Sequence, residues 1–356
     1  MAEPALFVIY TVFSHKISRM NNVIMMGHGS GGKMTSELIR KSFAQYFSNP
    51  VLDAFGDSAL LEIEDICLAF TTDSYVIDPI FFPGGDIGKL SVCGTLNDLA
   101  VTGARPLFMS AAFVLEEGFP VDQLETIARS MGETASAAGV ALVTGDTKVV
   151  RRGQCDKIYI NTSGIGLADK KNRDIVTGTG IKPGDKVIVS GYLGDHEICI
   201  LAAREKLQFE KPLLSDVASL SPMIMKIMDS GVEVKFMRDI TRGGLATICA
   251  EITGNRSFGM FIEEQSLPVR EEVSGLCELY GFDPLYLANE GKIIAIVDSR
   301  SADLVLDCMH QYKPGVRAAL IGEITESHPG KVIMRSVTGG NRMIDRLAGM
   351  QLPRIC

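Results

Sequence analysis

No two of the eight cysteines, Cys67, Cys93, Cys155, Cys199, Cys249, Cys277, Cys308 and Cys356, stand in a C-x-x-C pair. In a chain of 356 residues that scatter argues against a disulfide framework and against a zinc site, and it points to a reducing, cytoplasmic setting. Nor is there a run of five or more lysines and arginines. With a net charge of −8 the sequence lacks the basic patch of a nucleic-acid binder. The one apolar run near the start, residues 5–13, is too short to span a bilayer. It also lacks the basic leader and small-residue cleavage site of a signal peptide. Met20 offers a second start, which makes residues 1–19 an extension. Tryptophan is absent, whereas glycine is plentiful at 36 residues and follows no period, a composition suited to tight turns and backbone-lined sites. Hydrophobic residues at 46% and charged residues at 22% are ordinary for a globular protein, and the length allows two domains.

Apolar patterning predicts strands over residues 52–63, 66–72, 107–115, 140–144 and 158–166. Helices are expected over 87–101 and from Pro120 onward, where Leu124, Ile127, Ala128 and Met131 recur at helical spacing. Two adjacent strands before the first helix break βαβ alternation, so the fold class is α+β, a sheet with helices on one face, rather than a doubly wound sheet. Residues 168–184 read as a linker. A second α/β portion follows, with strands expected over 186–190, 259–263, 292–298, 318–323 and 331–335. Its helices are expected over 196–205, 222–229, 245–253 and 301–312. After Gly339 the chain turns polar. The 17 residues beyond it could reach roughly 55–60 Å when extended, and Pro353 biases Leu352 toward an extended shape.

Gly27-His28-Gly29-Ser30-Gly31-Gly32-Lys33-Met34 misses a P-loop only at its last position, where Met34 replaces the metal-binding hydroxyl. It reads either as a lid whose backbone N–H groups at Gly29, Gly31 and Gly32, with Lys33, cover phosphates, or as an ordinary glycine-rich turn. Aspartates recur beside Gly, Ser or Thr at the ends of apolar runs: Gly56-Asp57-Ser58, Thr72-Asp73-Ser74, Asn97-Asp98, Gly145-Asp146-Thr147 and Arg238-Asp239-Ile240. Any one of these alone suits a solvated turn or a helix cap; together they suit Mg²⁺, which takes oxygen ligands and keeps waters for phosphate. Asn97-Asp98 is the least turn-like, because it interrupts an apolar helix where an unpartnered carboxylate would be costly.

In chain order HGSGGK, FGDSA, TTDS, GTLNDLAVTGARP, TGDTKVV, RDITRGGLA and NEGK, closed by Pro353-Arg354-Ile355-Cys356, resemble the HypE family of the AIR-synthase (PurM-like) superfamily, from about residue 20 to residue 356. The aspartate motifs belong to the whole superfamily, and the terminal four residues single out the family. The resemblance implies a two-domain PurM-like fold. Residues 20–167 would form an N-terminal sheet domain that binds ATP and packs with a second copy as a dimeric barrel. Residues 168–338 would form a C-terminal α/β sandwich domain, and residues 339–356 a flexible tail carrying Cys356. The resemblance puts Asp57, Asp98 and Asp146 on the Mg²⁺ and phosphate side, with Asp73, Asn97 and Asp239 among the nucleotide contacts. Cys356, Lys148 and Glu290 would be catalytic, the order of proton transfer between the last two being open.

The implied reaction makes physical sense. A carbamoyltransferase, HypF, loads the terminal thiol as an S-carboxamide. Transfer of the ATP γ-phosphoryl group turns the amide oxygen into a leaving group, and loss of phosphate and an N–H proton leaves a thiocyanate. Its cyanide then passes to iron on a HypC–HypD complex, for a [NiFe] hydrogenase. The competing readings are a sister ATP-dependent phosphotransferase and a non-catalytic maturation scaffold. A selenophosphate synthetase would want a reactive residue in the Gly-rich loop, where the nearest cysteine to Lys33 is Cys67. A thiamine-phosphate kinase gives a terminal cysteine no role, and a scaffold would not need the acidic motifs, all of which are present. Nucleic acid and membrane are not expected partners.

Overall fold

Alternation decides the first sheet. Along β2 (Ile66–Tyr75) Cys67, Ala69, Thr71 and Tyr75 are buried, while Ile66, Phe70, Thr72 and Ser74 face outward, the period of a strand covered on one side. The computed structural model describes residues 23–349, 352 and 354–356. The 1–19 extension and Pro353, with its expected effect on Leu352, lie outside the described residues. Strand β1 (Ala59–Ile63) precedes β2. After a two-strand ribbon, β3 (Phe81–Phe82) and β4 (Gly85–Asp86), come β5 (Arg105–Glu116), β6 (Ala141–Val150) and β7 (Ile158–Ala168). The sheet order is β1-β2-β7-β5-β6, antiparallel throughout except for the parallel β5–β6 pair.

The helices that matter to the site in this half are α1 (Lys33–Leu38), α2 (Ile87–Val101) and α3 (Val121–Ala137). Helix α2 begins at Asp86, whose carboxylate accepts from the N–H groups of Gly88 and Lys89. It is buried around almost its whole circumference, so it is a central rod rather than an amphipathic cover. Gly94 is required there, because a Cβ would come within 2.2 Å of the Tyr75 hydroxyl.

The second sheet contains β8 (Lys186–Val189), β9 (Val234–Asp239), β10 (Gly259–Glu263), β11 (Ile293–Val297), β12 (Ala319–Thr325), β13 (Val332–Arg335) and β14 (Asn341–Ile344), ordered β14-β13-β10-β12-β8-β11-β9. Strand β11 is buried along its length, since both faces of the sheet are covered. Helices α4 (Asp195–Glu205), α5 (Ser221–Asp229), α6 (Gly244–Thr253), α7 (Glu271–Tyr280) and α8 (Ala302–His310) belong to this half. Ala100 and Val101 at the end of α2 join the core formed with α5 and α8, so the two halves share apolar packing.

The structure corrects the expected boundaries. Strand β1 begins only at Ala59, after a 3₁₀ turn at Leu52–Ala54 and a left-handed Phe55. The expected linker contains helical turns at Lys170–Asn172 and Arg173–Thr177, and Asn172 donates to the Gly103 carbonyl at 2.9 Å. Strands β9 and β14 and helix α7 were not anticipated. Because β14 pairs with β13, the tail expected to begin at 339 stays with the body through Ile344. Among the described residues no helix is long and apolar enough to cross a membrane.

Candidate active site

The cleft between the two sheets gathers carboxylates from four elements. Asp57 comes from the turn before β1, Asp73 from β2, Asp98 from α2 and Asp239 from the end of β9. Thr71 links two of them, its hydroxyl lying 2.9 Å from the Asp98 carboxylate and 2.9 Å from the Asp57 carbonyl oxygen. Burial, followed by mutual repulsion, holds Asp98 and Asp239 well above the ordinary carboxylate range. Burial likewise raises Asp57 and Asp73, against the pull of Arg238 on the former and of Arg242 on the latter. Arg238 stands 3.1 Å from Asp57 and 3.1 Å from Glu251.

Glu290 sits at the entry to β11, and Ile293 three residues on is paired with Asp239. It is 3% exposed, its Oε1 has no hydrogen-bond partner, and burial with the charges of Asp239 and Asp216 holds it well above the normal range. Its backbone is held from both sides. Its N–H donates to Asp216 Oδ1 at 3.0 Å, and its carbonyl accepts from Ala218 N–H at 3.3 Å. Asp216 itself is paired with Lys292 at 3.2 Å.

The end of the chain lies inside this cleft. Val76 N–H donates to the Cys356 carbonyl at 3.1 Å, and Asp78 N–H donates to the Arg354 carbonyl at 3.2 Å, so residues 354–356 run beside the segment that leaves β2. Ile355 is buried in the core beneath the first sheet. From the other side α4 contributes His196, whose Nε2 is 2.5 Å from the Ile355 carbonyl, and Arg204, which donates to the Arg354 carbonyl. Arg354 pairs with Asp156 and donates to the Val76 carbonyl at 3.0 Å. Cys356 helps line a cavity of about 550 Å³ together with Arg242, Gly243, Glu197, Ser30 and Tyr286. Burial pushes its thiol up to about 12; Arg242 opposes this, and Glu290, Asp73 and Glu197 add to it. The thiol is therefore neutral when seated. A second cavity, of about 580 Å³, opens on the Asp57 side between Val176, Ile181, Phe236, Arg238 and Gly31.

Not every expected site residue joins this group. Lys148 grips both oxygens of Asp146 at 2.7 and 2.6 Å, but the pair is 67% and 61% exposed on β6. In register, Asp73 stands opposite Thr162, Thr162 opposite Ala111, and Ala112 opposite Asp146. Asp146 is thus three strand spacings, roughly 14 Å, from Asp73. It also lies on the outer face, because Ala111 and not Ala112 points to the core. Lys33 pairs with Asp345 at 2.7 Å, and its N–H donates to the Leu347 carbonyl, so the Gly-rich loop is folded onto the chain just after β14. Gly31 has φ +79° and passes so near the Arg242 backbone that a Cβ would lie 2.8 Å from its carbonyl, while a Cβ at Gly32 would meet the Leu347 carbonyl at 2.4 Å. Gly29 accepts from Arg242 at 3.0 Å. Asn97, expected as a nucleotide contact, is turned to the backbone of the second half. Its amide donates to Ala218 O at 3.0 Å and accepts from Leu220 N–H at 2.8 Å, clamping the two halves together.

Sequence reasoning passed over Arg242, Arg204 and Asp216. Arg242 stands in a motif read only for its aspartate. His196, beside Asp195, is tempting from sequence as an acid–base group but suits a helix cap equally, so it is not among the expected site residues; it is fully buried between Ser215 and the tail.

Residues 55–168 match the AIR synthase related protein, N-terminal domain, and residues 182–335 match its C-terminal domain. The chain is 47% identical over 336 residues to carbamoyl dehydratase HypE of Rhodobacter capsulatus, covering 94% of this chain and 98% of that protein. Among solved structures, a HypE–HypF complex superposes with TM-score 0.81 at 46% identity, over 87% of this chain and 99% of the other. The hydrogenase maturation protein HypE in complex with ATP superposes with TM-score 0.78 at 44% identity, over 94% of this chain and 100% of the other.

Proposed function

The chain belongs to the AIR synthase-related family and, within it, to the HypE carbamoyl dehydratases; on that premise we propose that it dehydrates a carboxamide carried on Cys356, using ATP, in the maturation of a hydrogenase. The observation that carries the assignment to this thiol is the seating of Cys356 in the carboxylate cleft beside Arg242, within the electrostatic reach of Glu290 and Asp73.

The balance is RS–C(=O)–NH₂ + ATP → RS–C≡N + ADP + phosphate. The amide oxygen takes the γ-phosphoryl group, the C–O bond breaks with phosphate as leaving group, and both N–H protons are lost. The purine fits the cavity between Val176, Ile181 and Phe236, with the phosphates directed past Asp57 toward Asp73 and Asp98. Among the described residues no three His, Cys, Asp or Glu side chains converge as a cage for a metal ion. An oxygen-only donor set of one or two carboxylates suits Mg²⁺, which completes its shell with phosphate and water. Asp57 and Asp98 are the residues that would hold it, and its charge would offset that developing on the transferred group. Glu290 has an unpartnered oxygen near the seated thiol, and once deprotonated it is placed to take a proton from the carboxamide nitrogen. Arg242 faces both the thiol and Asp73, and orients the carboxamide oxygen toward the phosphates.

The outer face of the first sheet leaves Phe70, Phe108, Ile165, Leu167 and Val143 exposed, and β6 is an open edge exposed along nearly its whole length. Two copies closing these sheets into a barrel would cover the face and lay β6 of one beside β1 of the other. Asp57 immediately precedes β1, so this homodimer delivers the Asp146–Lys148 pair to the partner's phosphate site, where Lys148 supplies the charge or base that its own cleft lacks. Carbamoyl loading by HypF fits the solved complex of a relative with that protein. A HypC–HypD complex is the cyanide acceptor in this reading, and the setting is the cytoplasm.

The test is intact-mass measurement after incubation with HypF, a carbamoyl donor and ATP. A gain of one carboxamide followed by loss of one water is expected. A carboxamide that persists in the presence of ATP would overturn the proposal.

A further inference from the structure

Helix α4 grips the tail at two successive points. Arg204 donates to the Arg354 carbonyl, and His196 meets the Ile355 carbonyl next to the reactive residue. Of the two, His196 is the more constrained. It is fully buried and stands edge-on to Phe82, with ring centroids 5.6 Å apart. Its other nitrogen, Nδ1, is 2.7 Å from Ser215 Oγ, and that oxygen also accepts from Val217 N–H at 3.1 Å.

These contacts leave one arrangement of protons. The Ile355 carbonyl can only accept, so Nε2 must carry hydrogen. Burial favours the neutral ring, with Asp216 opposing less strongly, so Nδ1 is left as an acceptor. Ser215 Oγ, already accepting from Val217, then turns its own hydrogen to Nδ1. The relay runs Val217 N–H to Ser215 O–H to His196 to the Ile355 carbonyl, and every donor and acceptor in it is used. Ser215 adjoins Asp216, which receives the Glu290 N–H. One short segment therefore fixes both the imidazole that holds the tail and the backbone of the carboxylate that faces its cargo.

We propose that His196 is a positioning residue for the dehydration: its Nε2–H pins the Ile355 carbonyl, and the Ser215 relay sets the thiol in register with Glu290. The inference rests on the reading that Cys356 carries the carboxamide. It also has a consequence that does not depend on the reaction, since the pin should restrict access to the thiol. The other seven cysteines are buried, so iodoacetamide should label Cys356 first.

Three variants of the full chain test it, His196→Leu, His196→Gln and Ser215→Ala. Alkylation of Cys356, followed by intact mass without any substrate, should be about tenfold faster in His196→Leu than in wild type, because one buried hydrogen bond is lost. His196→Gln, whose amide N–H can reach the same carbonyl, should fall back toward the wild-type rate. Ser215→Ala, which keeps the imidazole but leaves Nδ1 unpartnered, should lie between them. In the loaded protein with ATP, water loss should slow in the same order while the KM for ATP stays unchanged. Wild-type alkylation and dehydration rates in His196→Leu, or a glutamine variant no better than leucine, would overturn the inference. Should His196→Leu fail to fold, a wild-type alkylation rate in Ser215→Ala would do so. If the wild-type protein itself takes up a carboxamide and loses no water, the functional reading fails, while the alkylation series still decides the role of the pin.

Discussion

The cleft and the outer edge strand hold the same kinds of residue in opposite states. In the cleft Asp73, Asp98 and Asp239 are crowded away from water and hold their protons tightly. On β6 Asp146 is exposed, and its hydrogen bond with Lys148 holds it below the ordinary range. An aspartate therefore has no fixed character; what packs over it decides. The cleft relieves its crowding by keeping protons on its carboxylates, whereas on β6 the aspartate is neutralised in water by its own lysine.

The largest effect expected on this contrast comes from the thiol. Cys356→Ala should abolish mass gain and water loss entirely while ATP binding persists; loss of ATP binding by equilibrium dialysis would show that the tail builds the nucleotide site. Next, Asp98→Asn should reduce ATP-dependent water loss by about a hundredfold or more, yet raise stability by about 1 kcal/mol by relieving like-charge crowding. A lowered melting temperature would show that the cluster is not under electrostatic tension. Third, Lys148→Ala should stall at the carboxamide, and mixing it with Cys356→Ala should restore roughly a quarter of wild-type turnover if subunits exchange at random. No recovery on mixing would return Lys148 to its own subunit's site or remove it from the mechanism.

A fourth, smaller effect follows from linkage. Asp57, Asp73, Asp98, Asp239 and Glu290 all bind protons more tightly folded than unfolded. Their contribution is fully present below the ordinary values of 3.8 and 4.5 and is lost as pH rises through the higher folded values. The nucleotide-free protein should therefore unfold at lower denaturant at pH 8 than at pH 5, and Mg²⁺ with ATP should flatten that slope; a slope of opposite sign would refute it. The smallest effect is expected at the exposed Lys33–Asp345 pair, where Lys33→Ala should cost less than about 1 kcal/mol in denaturant unfolding.

Much of the scaffold was legible because strands such as β2 alternate, and because helices such as α3 carry apolar residues at regular intervals. Strand β9 escaped because it buries Lys235 within a largely apolar run, with the ammonium reaching back to Glu233. Strand β14 escaped because three of its four residues are exposed, and only pairing with β13 defines it. At the site, motif order picked out Asp57, Asp73, Asp98, Asp239 and Glu290. Arg242, His196 and Arg204 owe their place to contacts more than 100 residues apart in sequence, which no local pattern encodes. Asn97 was singled out because a buried amide needs partners, and its partners proved to be backbone groups of residues 218 and 220.

Ile355, the neighbour of the reactive residue, is 7% exposed in the core beneath the first sheet. Withdrawing it into water would cost roughly 1.5–3 kcal/mol, so its burial alone favours the seated tail by about tenfold to a hundredfold. Any enzyme that loads the thiol from outside must offer the isoleucine a greasy berth of its own, or wait for the tail to leave unaided. The penultimate side chain thus acts as an anchor weight, drawing the end of the chain back into the cleft without any motor.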